Sequence, residues 1–213
     1  MAKDSQKSET QSFYDRIADV HNLVMQLNGY RASVSKYLQS LDLKLSADSY
    51  VLDAGSGTGI VTLGFLNAGF RPRKTVALDL SLNLLKISGE QIEKEKEIDA
   101  EAVAPVQSNV LQMPFADETF DLVLTCGVLE YVPLENGLRE MARVMKPGAR
   151  LVLIPVKPSF VGSVLEILYK FKTHPIENVR RISAEYFNIL DDYEFPITEP
   201  ISWSKMIFLL EKK

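Results

Sequence analysis

The chain has 213 residues, 46% of them hydrophobic and 24% charged, which excludes a disordered or low-complexity chain and suits one domain with its own core. A formal net charge of −4 argues against bulk affinity for nucleic acid, whose phosphates need clustered Lys and Arg.

Residues 1–10 are polar and charged and are expected to be mobile. From Gln11 the pattern turns helical, with Phe13, Ile17, Val20, Val24 and Leu27 three or four residues apart and a stop at Asn28-Gly29. A second helix follows, with Tyr30, Val34, Tyr37, Leu38 and Leu41 on one face. Residues 11–48 therefore read as an N-terminal helical cap, lying either simply on the core or over an active site. Residues 49–213 read as the α/β core of the same single domain.

From Tyr50 the pattern becomes strand, turn, helix, repeated. Tyr50-Val51-Leu52 runs into Asp53-Ala54-Gly55-Ser56-Gly57-Thr58-Gly59, and a helix over 60–68 stops at Gly69. Thr75-Val76-Ala77-Leu78 is the second strand and ends at Asp79; Ser81 then caps a helix carrying Leu82, Leu85 and Ile92 inward. The run Glu93-Lys94-Glu95-Lys96-Glu97 is a solvated helix end. Strands are expected over 102–106 and 120–125. A helix over 134–145 leads through a Lys146-Pro147-Gly148 turn into a strand over 149–154. Two further helices, over 160–171 and 177–187, precede strands over 189–195 and 204–210. That last pair is too closely connected for a crossover and is expected to be antiparallel. Near-continuous apolar strand centres alternating with helices describe a buried, mostly parallel sheet.

The single cysteine, Cys126, excludes an intrachain disulfide, and two distant histidines, His21 and His174, supply no metal-ligand spacing. No apolar run reaches the roughly 18 residues of a membrane span, and Met1 to Thr10 lacks a signal-peptide core. These features point to a soluble, reduced, cytoplasmic protein.

The glycine turn is the first functional signal. Glycine lets the backbone turn sharply and approach a ligand, and the helix that follows presents free N–H groups at the carboxyl edge of the sheet. A phosphate-cradling loop would need Gly-Lys-Ser/Thr, but Gly59 is followed by Ile60 and Val61. A dinucleotide fingerprint would need glycine where Ile60 stands. The spacing is Gly-x-Gly-x-Gly, and Asp53 stands two residues before it. A carboxylate there suits a ligand carrying a cation.

The stretch from Val51 to Gly59 closely resembles the first motif of class I S-adenosylmethionine-dependent methyltransferases. Further motifs follow in register over 50–155: Asp79-Leu80, then Ser108-Asn109-Val110-Leu111-Gln112-Met113-Pro114-Phe115, then the run from Phe120 to Val132, then the one from Val144 to Leu151. The resemblance implies a Rossmann-like fold, seven strands with the last antiparallel, and S-adenosyl-L-methionine as cofactor. It implies that Asp53, Gly55, Ser56, Gly57 and Gly59 form the cofactor turn and that Asp79 accepts hydrogen bonds from the ribose hydroxyls. Leu80, Asn109, Val110 and the Cys126 backbone would surround the adenine and amino groups. Asn109 stands where the family has Asp and keeps an acceptor oxygen. Tyr131 stands where many relatives have histidine.

An acceptor that must lose a proton would need a base. Glu130, Tyr131 and Tyr14 are the catalytic candidates, with His21, His174 and Asp15 as lesser ones. The Phe13-Tyr14-Asp15-Arg16-Ile17-Ala18 segment is similar to the aromatic N-terminal segment of several small-molecule methyltransferases and, weakly, to the quinone-pathway branch. The apolar run over 160–171 is a candidate for lining an acceptor pocket, for pairing of two chains or for peripheral membrane contact. The expected activity is in-line methyl transfer to a small lipophilic acceptor. The alternatives are a non-catalytic S-adenosylmethionine-binding regulatory subunit and a protein-directed methyltransferase; no Asn-Pro-Pro-Tyr-type tetrapeptide follows the fourth strand.

Overall fold

In the computed structural model residues 29–213 are described; the first helix expected from the sequence, together with Tyr14, Asp15 and His21, lies outside them. Helix α1 (Tyr30–Gln39) buries Tyr30, Val34, Tyr37 and Leu38, the face that its spacing predicts. Strand β1 (Tyr50–Ala54) and helix α2 (Ile60–Asn67) flank the glycine turn, and β2 (Lys74–Asp79) leads into α3 (Leu82–Glu93). Then follow β3 (Val103–Gln107), β4 (Phe120–Cys126), α4 (Leu134–Val144) and β5 (Met145–Ile154). Helices α5 (Phe160–Tyr169) and α6 (Ile176–Tyr186) precede the closing strands β6 (Phe187–Tyr193) and β7 (Ile207–Lys212).

The seven strands form one sheet in the order β3-β2-β1-β4-β5-β7-β6. Strands β1 to β5 pair in parallel, and β7 runs antiparallel to both β5 and β6. Successive residues on the central strands point to opposite faces, and each face has its own buried cluster. Leu52, Val123, Leu151 and Leu153 pack with Leu138 and Met141 of α4 and Val179 of α6. Val51, Leu122, Leu124 and Val152 pack with Val34 and Leu38 of α1 and Phe65 of α2. The order reverses at β1, with β2 on one side and β4 on the other. A cleft therefore opens beyond their carboxyl ends, where the glycine turn lies.

Three local expectations differ from the structure. Leu82 is 49% exposed, and Leu84 takes the inward place beside Leu85 and Ile92. The reason is helical phase, since Leu82 lies about 200° round the axis from Leu84. Lys146-Pro147-Gly148 does not separate a turn from a strand. Strand β5 begins at Met145 and absorbs these residues where its register against β4 shifts between Phe120 and Leu122. Strand β7 starts at Ile207 rather than at 204, because a 3-10 turn over Pro200–Trp203 and the buried Ser204 hold the preceding backbone.

Candidate active site

The glycine turn reverses the chain between β1 and α2 with Gly55, Gly57 and Gly59 all at positive φ. At Gly55 a Cβ would stand 2.1 Å from Val128 Cγ2, so the turn packs directly against the loop after β4. At Gly57 a Cβ would meet nothing within 4 Å, and this is where the backbone faces open cleft. Gly55, Ser56, Gly57 and Thr58 line the cleft; Gly59 does not, and its missing side chain makes room for Ser88 instead.

Asp53 lies behind the turn rather than on the cleft wall. It is 1% exposed, and its Oδ2 accepts a 2.6 Å hydrogen bond from the Thr62 hydroxyl, while Oδ1 has no hydrogen-bond partner among the described residues. Burial pushes its carboxyl up to about 7, with the Thr62 hydrogen bonds opposing and the charge of Asp79 adding to the rise. Asp79 does reach the cleft. Its Oδ2 accepts from the Gly57 N–H and its Oδ1 from the Ser81 N–H, both at 2.9 Å. Leu80, 39% exposed, and Val110 line the same wall. Asn109 joins them at the tip of a tight turn, its Oδ1 accepting from the Leu111 N–H at 2.9 Å. Cys126 closes this half of the cleft at the end of β4, its thiol pushed up by burial.

The catalytic candidates separate. Tyr131 lines the cleft, and its hydroxyl donates to the Tyr169 carbonyl at 3.2 Å. Glu130 is buried and does not reach the wall; its Oε1 accepts a 2.5 Å hydrogen bond from the Val156 N–H. That geometry makes it a staple between the loop after β4 and the end of β5. The His174 ring is bonded through Nε2 to the Leu129 carbonyl and also stays off the wall.

The far half of the cleft joins the run over 160–171, a candidate pocket lining from the sequence, to residues that the sequence had not singled out for it. Tyr30 and Val34 come from α1, Leu165 and Tyr169 from α5, and Lys205 from the segment before β7. Tyr30 and Val34 were legible as one helix face, but not as a wall shared with α5. The opposite face of α5 leaves Phe160, Val164, Ile167 and Leu168 exposed. Among the described residues no helix is long and apolar enough to cross a membrane, and no group of three or more His, Cys, Asp or Glu could hold a metal ion.

Sheet order, an antiparallel β7 and a glycine turn tied to the acidic end of β2 define a class, and comparison with known proteins agrees with it. The chain belongs to the class I S-adenosylmethionine-dependent methyltransferases. A family described as a methyltransferase domain matches residues 52–153. An uncharacterised protein of Methanocaldococcus jannaschii is 32% identical over 93% of this chain and 87% of its own. A demethylmenaquinone methyltransferase of Bacillus cereus is 28% identical over 74% of this chain and 67% of its own. Among solved structures, the geranyl diphosphate C-methyltransferase of Streptomyces coelicolor superposes with a TM-score of 0.69. It is 16% identical and matches 84% of this chain and 75% of its own; it was solved with magnesium, geranyl thiolodiphosphate and S-adenosylhomocysteine. S-adenosylmethionine is the cofactor of this enzyme class. The cleft offers what that ligand needs: an exposed backbone turn at Gly57, a carboxylate at Asp79 and an apolar shelf at Leu80 and Val110.

Proposed function

We propose that this enzyme transfers the methyl group of S-adenosylmethionine to a small lipophilic acceptor held in the far half of its cleft. The observation that carries this reading is the composition of that half. Val34, Val128, Val132, Leu165 and Phe171 line it together with the rings of Tyr30, Tyr131 and Tyr169. Such a wall rewards burial of apolar acceptor surface at about 25 cal/mol per Å². The relatives named for demethylmenaquinone and the structural neighbour holding a geranyl compound are in keeping with it.

When bound, the cofactor supplies an electrophilic methyl carbon on a sulfonium, which an acceptor atom displaces in line. The residues of this chain hold and orient. The Asp79 carboxylate would receive the ribose hydroxyls, and Leu80, Asn109 and Val110 would face the adenine. The turn at Gly55, Ser56 and Gly57, with the backbone at Cys126, would take the amino-acid end. Asp53 supports the turn from behind. The apolar half would exclude water and hold an acceptor close to the methyl group; in-line displacement in general needs the reacting atoms roughly 3–3.5 Å apart. Glu130 and Tyr131 shape the loop beside the acceptor rather than remove its proton.

The test follows methyl-labelled S-adenosylmethionine into products of a mixed pool of apolar phenols, quinols and fatty acids, extracted into organic solvent. Label in the organic phase, lost on Asp79→Ala, is the expected result. Label only in protein or in water-soluble amines would overturn the lipophilic acceptor.

A further inference from the structure

Among the described residues lining the cleft, Lys205 is the one cation. It follows the 3-10 turn at Pro200–Trp203 and is bridged to Val156 across the carboxyl end of β5. The residue is 4% exposed. Its Nζ lies 2.8 Å from the place where a Cβ on Gly127 would stand, so the ammonium fills the space left by a residue without a side chain. Gly127 sits at φ +65 directly after β4, which puts this charge at the sheet edge beside Cys126. Lys205 donates a hydrogen bond to the Cys126 sulfur, and no carboxylate pairs with it in a direct salt bridge among the described residues. Its neighbours in charge are the Cys126 thiol, the Glu130 carboxylate and the Tyr30 phenol. A buried ammonium is costly unless something partners it, and a methionine would fill the same volume without desolvating a charge.

Resting on the reading of the cleft as a methyl-transfer site, we propose that Lys205 receives an oxyanion of the methyl acceptor, and that the acceptor is therefore a phenol or enol bound as its anion. The neighbouring groups leave room for that anion. Burial pushes the thiol of Cys126 and the phenol of Tyr30 up, so both are uncharged at neutral pH. Glu130 also faces Lys205; its Oε1 accepts from the Val156 N–H, and its Oε2 is buried without a hydrogen-bond partner among the described residues. Burial works against the Lys205 ammonium, and its neighbours outweigh burial, so its pKa lies above the ordinary value; the attraction of Cys126 and Tyr30 acts only where those two groups ionise.

The same assignment explains why the far half carries no base. The described cleft wall holds no histidine, and its one carboxylate, Asp79, is on the glycine-turn side. An acceptor that binds as its anion has already given its proton to solvent. Transfer then forms the acceptor–methyl bond and breaks the sulfonium S–CH3 bond, the electron pair staying on sulfur and cancelling its charge. No further proton need move for a methylated oxygen.

The experiment uses 4-nitrophenol as the probe, because its phenolate and phenol absorb at different wavelengths. Wild type saturated with S-adenosylhomocysteine is titrated with the probe at a pH where buffer holds it mostly neutral. A separate melt with and without S-adenosylhomocysteine verifies the cofactor site. The expected result is bound phenolate, with a ratio of anion to neutral form about tenfold above that in buffer, one unit of pKa. Lys205→Met should abolish that shift and keep the melting response to S-adenosylhomocysteine, and Lys205→Arg should retain part of it. If Lys205→Met does not fold, Gly127→Ala, which crowds the ammonium, serves in its place and should reduce the shift. A wild type that responds to S-adenosylhomocysteine but leaves the probe spectrum as in buffer overturns the inference alone. An equal shift in Lys205→Met does the same. No response to S-adenosylhomocysteine overturns both this inference and the reading on which it rests.

Discussion

Asp79 Oδ2 accepts a 2.9 Å hydrogen bond from the Gly57 N–H, so the last residue of β2 holds the open corner of the glycine turn. Its second oxygen takes the Ser81 N–H where α3 begins. One carboxylate therefore shapes the turn, starts the next helix and stands on the cleft wall. Asp79→Ala removes two charge-assisted bonds from half-buried donors, a loss of about 3 kcal/mol. In a domain of this size that is roughly 6–12 °C of melting temperature. The response to S-adenosylhomocysteine should vanish as well. Asp79→Asn keeps one acceptor oxygen and should fall between the two. Thermal melts of the three proteins with and without S-adenosylhomocysteine make the check; an Ala variant that melts like wild type would show that the turn needs no tie.

Gly55 and Gly57 share a positive φ but not an environment. A methyl group at residue 55 would collide with Val128 at 2.1 Å, whereas one at residue 57 would project into the cleft. Gly55→Ala should destabilise by about 2–4 kcal/mol through overpacking and backbone strain together. Gly57→Ala carries the strain alone, about 1 kcal/mol, yet should weaken cofactor binding at least as much. Chemical denaturation paired with calorimetric titration of S-adenosylhomocysteine separates the two. Equal loss of stability in both would contradict the packing difference.

Arg143, near the end of α4, gathers the loop that carries Asn109. Its guanidinium donates to the carbonyls of Met113 and Phe115, to Asp117 and to both oxygens of Glu140, while Glu140 also accepts from the Met113 N–H. A lysine cannot reproduce this fork. Arg143→Lys should raise the KM for S-adenosylmethionine several-fold through a loosened adenine wall, with little change in kcat. A fall in kcat at unchanged KM would place Arg143 in acceptor handling instead.

Strands, sheet class and the glycine turn were legible because they rest on local chemistry: apolar runs, glycine, and an acidic residue at the end of β2. Ser81 capped its helix as its residue type implies, its side chain accepting from the Leu84 N–H. In the far half of the cleft the run over 160–171 was legible as a pocket lining, but its meeting with Tyr30 and Lys205 was not. Tyr30, Tyr169 and Lys205 are distant in sequence, and only the folded sheet edge brings them to one wall. A lone lysine before a strand carries no local signal of burial. Proline and glycine at 147 and 148 spelled a turn; they fall in the irregularity between the Met145 and Arg150 pairings with β4, with Gly148 at φ +75, so the local preference survives as a bulge inside β5. Glu130 was legible as a carboxylate in the right loop, whereas its orientation toward Val156 was not.

Asp53 should make the stability of the protein fall as pH rises. Its carboxyl titrates at about 7 in the folded chain because of burial, against about 3.9 when unfolded. Below about pH 4 the group is protonated in both states and has no effect on the balance. Between about pH 4 and 7 the unfolded chain has released the proton and the folded chain has kept it. Stability then declines by about 1.4 kcal/mol per pH unit and levels off above 7. Asp53→Asn cannot titrate, so its stability relative to wild type, and with it its relative melting temperature, should climb steadily across that window, by on the order of 4 kcal/mol in total. The Thr62 hydroxyl can still donate to the amide oxygen, which keeps the local geometry comparable. Melts of both proteins from pH 4.5 to 8 give the slope directly. A constant difference across the range would mean that Oδ1, unpartnered among the described groups, meets a cation or water able to hold the charge.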